Sequence, residues 1–538
     1  MISAVRLTSL ALATNLFAFI DARSVASFGP TIDSARKNGP QIFNAIHNAM
    51  REFGSALHHN GMSLFPAVIP EGVLLYHGTH TSEIPDDFDW LAFEIEHAEA
   101  FAHGRWRRRN DTGGKPHPGP PNIFVDAFLE DENAPPKDPP FELIGAGHLH
   151  VYQAARPLNV LYIDGMAAGK TDMGTLDTQD ILLVGNKSEI AWNDWGRADN
   201  LCDLAREWDI QGFIRMEPGF EVIYCNFTDG LRLISTFERP APDGPGSADN
   251  AWITSFEWAR AASQRYKGIG ASRVLLDYSS VFSAFFYPTN LTNPEPTRPE
   301  LPRLVGASDA EIAVMRQHVA DSLYRSIANE QIPTDWQGVT DMIVTRYAKR
   351  LSFMAETDTF SIMKTEVNGL LNIYIDYAET DDGFAAAQQR CTNFYLQPVR
   401  ARTPQDELIQ AAIENTTATI CTALFKVRQL IVEDEDSDEA ESVSAAKRVI
   451  QELVDILRWS DWKECGSCQP DELCFIAMWP LGNAEDHYNP SCRNYSDLLG
   501  RNDYWRTPGR TPGQRPPPSS LCVGRQSCQG GDSLSEEL

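Results

Sequence analysis

The stretch Gly72–Gly104, "GVLLYHGTHTSEIPDDFDWLAFEIEHAEAFAHG", decides how the first half of this 538-residue chain is read. "GVLLYHG" is an apolar run closed by glycine and "DWLAFE" is a second one, both short enough for strands. "EHAEAFAHG" then places apolar residues three and four apart, the spacing of a short helix. Strands and helices therefore mix here. The strand-like runs "HLHVYQA", "NVLYID", "DILLVG" and "FEVIYCNF" and the helical "RADNLCDLAREWDI" extend the same alternation to about Phe237.

Outward from that core the character of the chain changes. "ERPAPDGPGSADN" at 238–250 reads as a linker. From 251 to 460 long segments such as "DWQGVTDMIVTRYAKRLSFMAE" carry helical periodicity and predict a bundle. Residues 461–538 hold six of the ten cysteines with many Pro and Gly, and predict a Cys-rich tail that is partly disordered. On the other side, 30–237 forms the α/β domain. Residues 1–22 have the form of a secretory signal, with one Arg, an apolar run from Leu7 to Ile20 and small residues after it.

A net charge of -28 and a pI near 4.8 argue against nucleic acid or an anionic membrane as partner, because both are repelled. An even number of cysteines suits an oxidising compartment. Pairing is expected within three groups: Cys202 with Cys225, Cys391 with Cys421, and Cys465, Cys468, Cys474, Cys492, Cys522 and Cys528 among themselves. Sequons at Asn110, Asn186, Asn226, Asn290, Asn415 and Asn494 predict N-glycans. Secretion follows as the expected localisation.

Candidate chemistry is dispersed. "DGMAAGKTD" ends in Gly169-Lys170-Thr171, but three residues separate Gly165 from Gly169 where a phosphate loop has four, so it reads as a turn. His148 and His150 share a strand face, yet no third ligand stands at a telling spacing and no metal set is assigned. Asp164, Asp172, Asp177 and Asp180 supply carboxylates of the kind a carbohydrate-active hydrolase uses in pairs. No Gly-x-Ser-x-Gly nucleophile elbow is present.

Three pieces in chain order resemble the ADP-ribosyltransferase fold of the His-Tyr-Glu branch: "LLYHGTH", "DWLAFEIEHAEAFA" and "MEPGFEVIYCNF". The resemblance implies a split-sheet domain that takes NAD as substrate, with a protein or small-molecule acceptor or water. It implies contacts to NAD from His77, Gly78, Thr79, Trp90, Phe93 and Phe101. Catalysis would fall to His77 and to Glu221, with Glu217 as the alternate. The family's tyrosine has no counterpart in "DWLAFE". The whole chain also resembles uncharacterised secreted fungal proteins that carry segments like "DGMAAGKTDMGTLDTQD". Two further readings stand beside the transferase: a non-catalytic secreted or cell-wall binding protein, and the hydrolase that uses Asp164 to Asp180.

Overall fold

The computed structural model describes residues 28–108, 141–185, 194–240, 250–328, 334–378, 383–433, 438–498 and 501–505. The expected signal at 1–22, most of the 238–250 linker, the sequons at Asn110 and Asn186, and Cys522 and Cys528 lie outside them.

The chain is α+β. Helices α1 (Ile32–Lys37), α2 (Gly39–His47) and α3 (Glu52–Leu57) precede strand β1 (Asn60–Ile69). Strands β2 (Leu74–Thr79) and β3 (Asp89–Ala92) follow, then helix α4 (Ile95–Glu99). A separate hairpin, β4 (Arg105–Arg108) with β5 (Phe141–Ile144), leads to β6 (Gly147–Ala154) and β7 (Leu158–Gly165). Helix α5 (Asp194–Trp208) comes before β8 (Gly212–Glu217), β9 (Gly219–Tyr224) and β10 (Leu231–Arg239).

These strands, without β4 and β5, build one sheet in the order β10-β6-β2-β3-β9-β8-β7-β1. Only β7 and β8 run parallel among the registered pairs, and α5 is the crossover between them. Strands β11 (Leu275–Leu276) and β12 (Phe282–Ser283) come from beyond the expected linker, after helix α6 (Asn250–Ser263), and both pair with β1. The sheet thus crosses the boundary that composition placed at 238–250.

The second half is helical: α7 (Asp309–Ala328), α8 (Trp336–Glu356), α9 (Phe360–Leu371), α10 (Gly383–Asn393), α11 (Pro404–Arg428) and α12 (Glu439–Leu457). Helix α11 starts at a capping box in which Thr403 and Asp406 each bond the other's backbone N–H, with Pro404 at the first position. It packs against α1 and α2, so one apolar core runs from Ala35 to Trp505. After it come β13 (Glu472–Phe475), α13 (Ala484–Tyr488) and β14 (Ser491–Asn494), a small module stapled by disulfides Cys465–Cys474 and Cys468–Cys492. The expected tail is therefore ordered as far as Trp505 in its described part. Cys202–Cys225 and Cys391–Cys421 complete the described disulfides, all within the expected groups.

Two local readings are corrected. "DILLVG" is not a strand: Thr178–Leu183 is a π-helical turn with Leu182 and Leu183 buried, and a short apolar run carries no periodicity to separate the two. Strand β1 goes unread because Pro66 interrupts its apolar run, although Pro66 sits opposite Leu161 on β7.

Candidate functional site

Register fixes which side chains can meet. Tyr76 of β2 lies opposite Ala92 of β3, and Ala92 opposite Glu221 of β9, so these three share one face of the sheet. His77 is the next residue and points to the other face. There its Nδ1 bonds the Trp90 carbonyl at 2.9 Å, its Nε2 lies 3.8 Å from Asp89, and its ring packs on Phe227 and His150. His77 and Glu221 are not brought together. That denies NAD the paired ribose contacts the transferase resemblance implies.

The remaining residues of the resemblance are also spent on packing. A Cβ on Gly78 would stand 1.9 Å from the Ala98 carbonyl, so this glycine exists to let α4 lie against β2. Phe93 is fully buried beside the Arg273 guanidinium. Phe101 packs on His97 and Trp258. Thr79 pairs with His148 at the end of β2. Trp90 alone reaches the surface of the glutamate face, its ring edge-on to Trp195 at 4.6 Å. Across the sheet, His150 spends its nitrogens on the Tyr152 hydroxyl and the Thr81 carbonyl, and burial followed by His77 pushes it down to about 4.

The glutamate face holds a different constellation. Arg215 of β8 sits directly opposite Glu221, with Glu217 two residues further on the same side. Arg215 is fully buried and donates to Glu221 at 2.6 Å, to both oxygens of Asp194 at 2.9 and 2.7 Å, and to Gln179 at 3.3 Å. Arg197, also fully buried, grips both oxygens of Asp180 and one of Asp194. Lys170 reaches in from the loop after β7 to Glu217 at 3.0 Å and Asp194 at 3.3 Å, with its ammonium 4.6 Å above the Trp479 ring. His97 of α4 brings Nε2 to 3.7 Å from Glu217 and stacks on Trp258. The tight turn between β8 and β9 uses Gly219 at φ +104°, where a side chain would meet His97.

Four carboxylates face three permanent cations, which leaves the cluster one positive charge short. Burial raises Glu217, Asp194 and Glu221, and the neighbours decide the outcome. At Glu217 and Asp194 the neighbours win: Lys170, the hydrogen bond from His97 and Arg215 hold Glu217 below its ordinary range, and Arg215, Lys170 and Arg197 hold Asp194 well below. At Glu221 burial outweighs Arg215, and the charge on Glu217 adds to it, so its carboxyl is raised. Lys170 is raised because Asp194 and Glu217 overcome its desolvation. One oxygen from each glutamate and one His97 nitrogen lie within 4.8 Å of one another. That spacing suits a metal, but Lys170 and Arg215 already donate to Glu217 and Glu221, so the donor set does not fit a cation. The other such group, Cys465, Cys468 and Cys492, is consumed by disulfides.

The aspartates of the hydrolase reading disperse. Asp177 bonds Arg303 and the Leu304 amide, Asp180 bonds Arg197, and Asp164 is buried alone in β7, where desolvation raises it to about 7 against the Gly165 amide. The loop that bears Gly169 folds on itself, with the Gly169 amide on the Met166 carbonyl, and delivers Lys170 to carboxylates.

Of the site, Glu221 and the alternate Glu217 are legible in the sequence, whereas Arg215, Lys170, Asp194, His97 and Trp195 are not. The usable signal was "FIRMEPGFEV", with charges at alternate positions of apolar strands.

Every member of this cluster falls inside one matched region. Residues 24–244 match the family model of the YPL277C N-terminal domain. Uncharacterized protein YPL277C of Saccharomyces cerevisiae is 36% identical over 231 residues, 38% of this chain and 44% of the relative. Uncharacterized protein YOR389W of the same yeast is 27% identical over 539 aligned residues, covering 83% of both chains. The similarity to uncharacterised fungal proteins thus extends over most of the chain. No solved structure matches.

Proposed function

We propose that this chain is a secreted hydrolase of neutral glycans, with Glu217 and Glu221 as its carboxyl pair. One observation carries the reading: two adjacent glutamates with oxygens within 4.8 Å of each other are pushed in opposite directions, Glu217 towards ionised and Glu221 towards protonated. Pairs driven apart in this way divide acid and base roles. Retaining glycoside hydrolysis uses a close carboxyl pair, roughly 5–5.5 Å apart, and these two carboxyls are neighbours on facing strands. Glu221 donates its proton to the leaving glycosidic oxygen as Glu217 attacks the anomeric carbon. Water, deprotonated by Glu221, then releases the sugar from Glu217 and regenerates both groups.

The surroundings favour a neutral sugar. Lys170 and Asp194 keep about a fifth of their side chains exposed, at 20% and 19%, and border the buried pair. Trp195, adjacent to Asp194, is 53% exposed and backed by Trp90 and Phe88, an aromatic surface on which a pyranose ring can stack. A chain of charge -28 repels polyanions. Secretion is supported by the signal-like leader and the disulfides. Glycosylation fits Asn226 and Asn290, both exposed.

A second reading, a non-catalytic glycan-binding protein, is favoured by the pairing of both glutamates with Arg215 and Lys170. Wild type and Glu221→Gln, assayed on a panel of neutral nitrophenyl glycosides, separate the two. Hydrolysis predicts release by wild type and a loss of about 100-fold or more in the variant. Turnover by neither, with glycan binding that requires Trp195, selects the binding protein.

A further inference from the structure

Far from the carboxyl pair, the disulfide-stapled module meets the rest of the chain through two histidines. His59, which leads into β1, is fully buried, and its ring lies 5.3 Å from that of His487 on α13, 5.7 Å from Tyr504 and 5.2 Å from Trp505. His487 is buried too and stacks on Tyr504 at 4.4 Å. Nε2 of His59 and Nδ1 of His487 have no hydrogen-bond partner. A buried ring nitrogen without an acceptor stays neutral, because a proton there would add a charge that nothing solvates.

The charged groups that face this pair oppose protonation. Arg298 and Arg458 lie near His59 and Arg298 and Lys463 near His487, while His58, itself pushed down to about 3 by burial, is neutral. Asp486, next to His487 in α13, is closed by Arg501 and Arg493. Tyr488 and Tyr504 pack on His487, and Glu300 lies towards Tyr504. Burial, and then these cations, push His59 down to about 3 and His487 well below its ordinary value.

The same module supplies Trp479, whose N–H donates to the Met166 sulfur at 3.1 Å and whose ring lies beneath Lys170 at 4.6 Å. We infer that the module spanning Cys465 to Trp505, seated by Phe475, Ile476 and Met478 in the shared core and by the Tyr266–Cys474 bond, is an acid-released clamp whose acid-sensitive part is the neutral His59–His487 contact and that withdraws Trp479 from Lys170 when it lets go. Its internal ties, the two disulfides and the Asp486–Arg501 pair, remain intact on release. That release opens a catalytic pair rests on the hydrolase reading.

The sign follows from the lowered values. Both histidines are neutral when docked and protonate on release, so docking is favoured above about pH 6.5 and weakens as pH falls towards their docked values. Each histidine weakens it roughly tenfold per pH unit in that window.

Hydrogen exchange on the full-length, disulfide-intact protein, corrected for intrinsic rates, tests the clamp between pH 7.5 and 4.5. Wild type should lose at least tenfold of protection in peptides from 465–505 below pH 6, while β8 and β9 stay protected. His59→Phe/His487→Phe, which keeps the ring contacts and cannot protonate, should hold its protection to pH 4.5. A module that stays protected in wild type at pH 4.5, or that opens at the same pH in the double variant, overturns the clamp. Glycoside turnover across the same range is a separate readout: absence of turnover at every pH removes the hydrolase and leaves the exchange result standing.

Discussion

The β8–β9 charge cluster and the His59–His487 seam are both buried and titratable, and they solve burial in opposite ways. The cluster pairs its charges, so Arg215 and Arg197 sit at zero exposure, bonded to Asp194, Glu221 and Asp180. The seam keeps no charge, and its outer ring nitrogens are unpartnered. Paired burial is sensitive to the loss of a partner and neutral burial to the gain of a proton. Each region thus has its own way to fail.

Arg215→Met should show the largest effect. It leaves Asp194 and Glu221 without their main cation, and removing one partner of a buried pair costs about 3–5 kcal/mol. Urea unfolding would measure it; a change below about 1 kcal/mol would mean that the cluster is not held by charge.

Acid should act next, through the seam. His59 and His487 each contribute stability at neutral pH that is lost as pH falls below about 6.5, at up to roughly 1.4 kcal/mol per unit for each histidine. Paired carboxylates behave differently. Asp341 is raised by burial but lowered further by His47 and Arg51, to about 2, so its contribution persists until pH drops below the ordinary aspartate range near 3.9. Thermal melts between pH 7 and 4 carry the seam's contribution beside those of His58 and His150, which are also lowered, and of Asp164, which is raised and acts with the opposite sign; His59→Phe/His487→Phe should remove only the part that belongs to the seam.

Gly78→Ala should be smaller, roughly 1–3 kcal/mol, because its Cβ would overlap the Ala98 carbonyl and force α4 off β2. A neutral thermal midpoint would show that α4 yields freely. Trp195→Ala should change stability least, within about 0.5 kcal/mol for so exposed a residue. It should still abolish retention on immobilised neutral glycans.

The opening stretch made the fold class legible and the site illegible for the same reason. "LLYHGTH" and "FEVIYCNF" announce strands by their apolar runs, and β2 and β9 form there. They say nothing about which strand lies between, or in which register. With β3 inserted and Ala92 opposite Glu221, Tyr76 takes the glutamate face and His77 the other. One residue of register decides the chemistry. Lys170, Asp194 and His97 come from a turn and two helix segments whose convergence is purely tertiary. The sheet's last two strands escaped for a related reason, since two-residue pairings at Leu275 and Phe282 leave no pattern to read.

Covalent trapping distinguishes whether Glu217 acts as nucleophile with Glu221 as its acid. The protein is incubated with a panel of neutral 2-deoxy-2-fluoroglycosides bearing reactive leaving groups and analysed by peptide mass spectrometry. One added glycosyl unit is expected on the peptide that contains Glu217 and none on that of Glu217→Gln. Wild-type turnover of the parent glycosides with no adduct on Glu217, or with the adduct on another carboxylate, would contradict it.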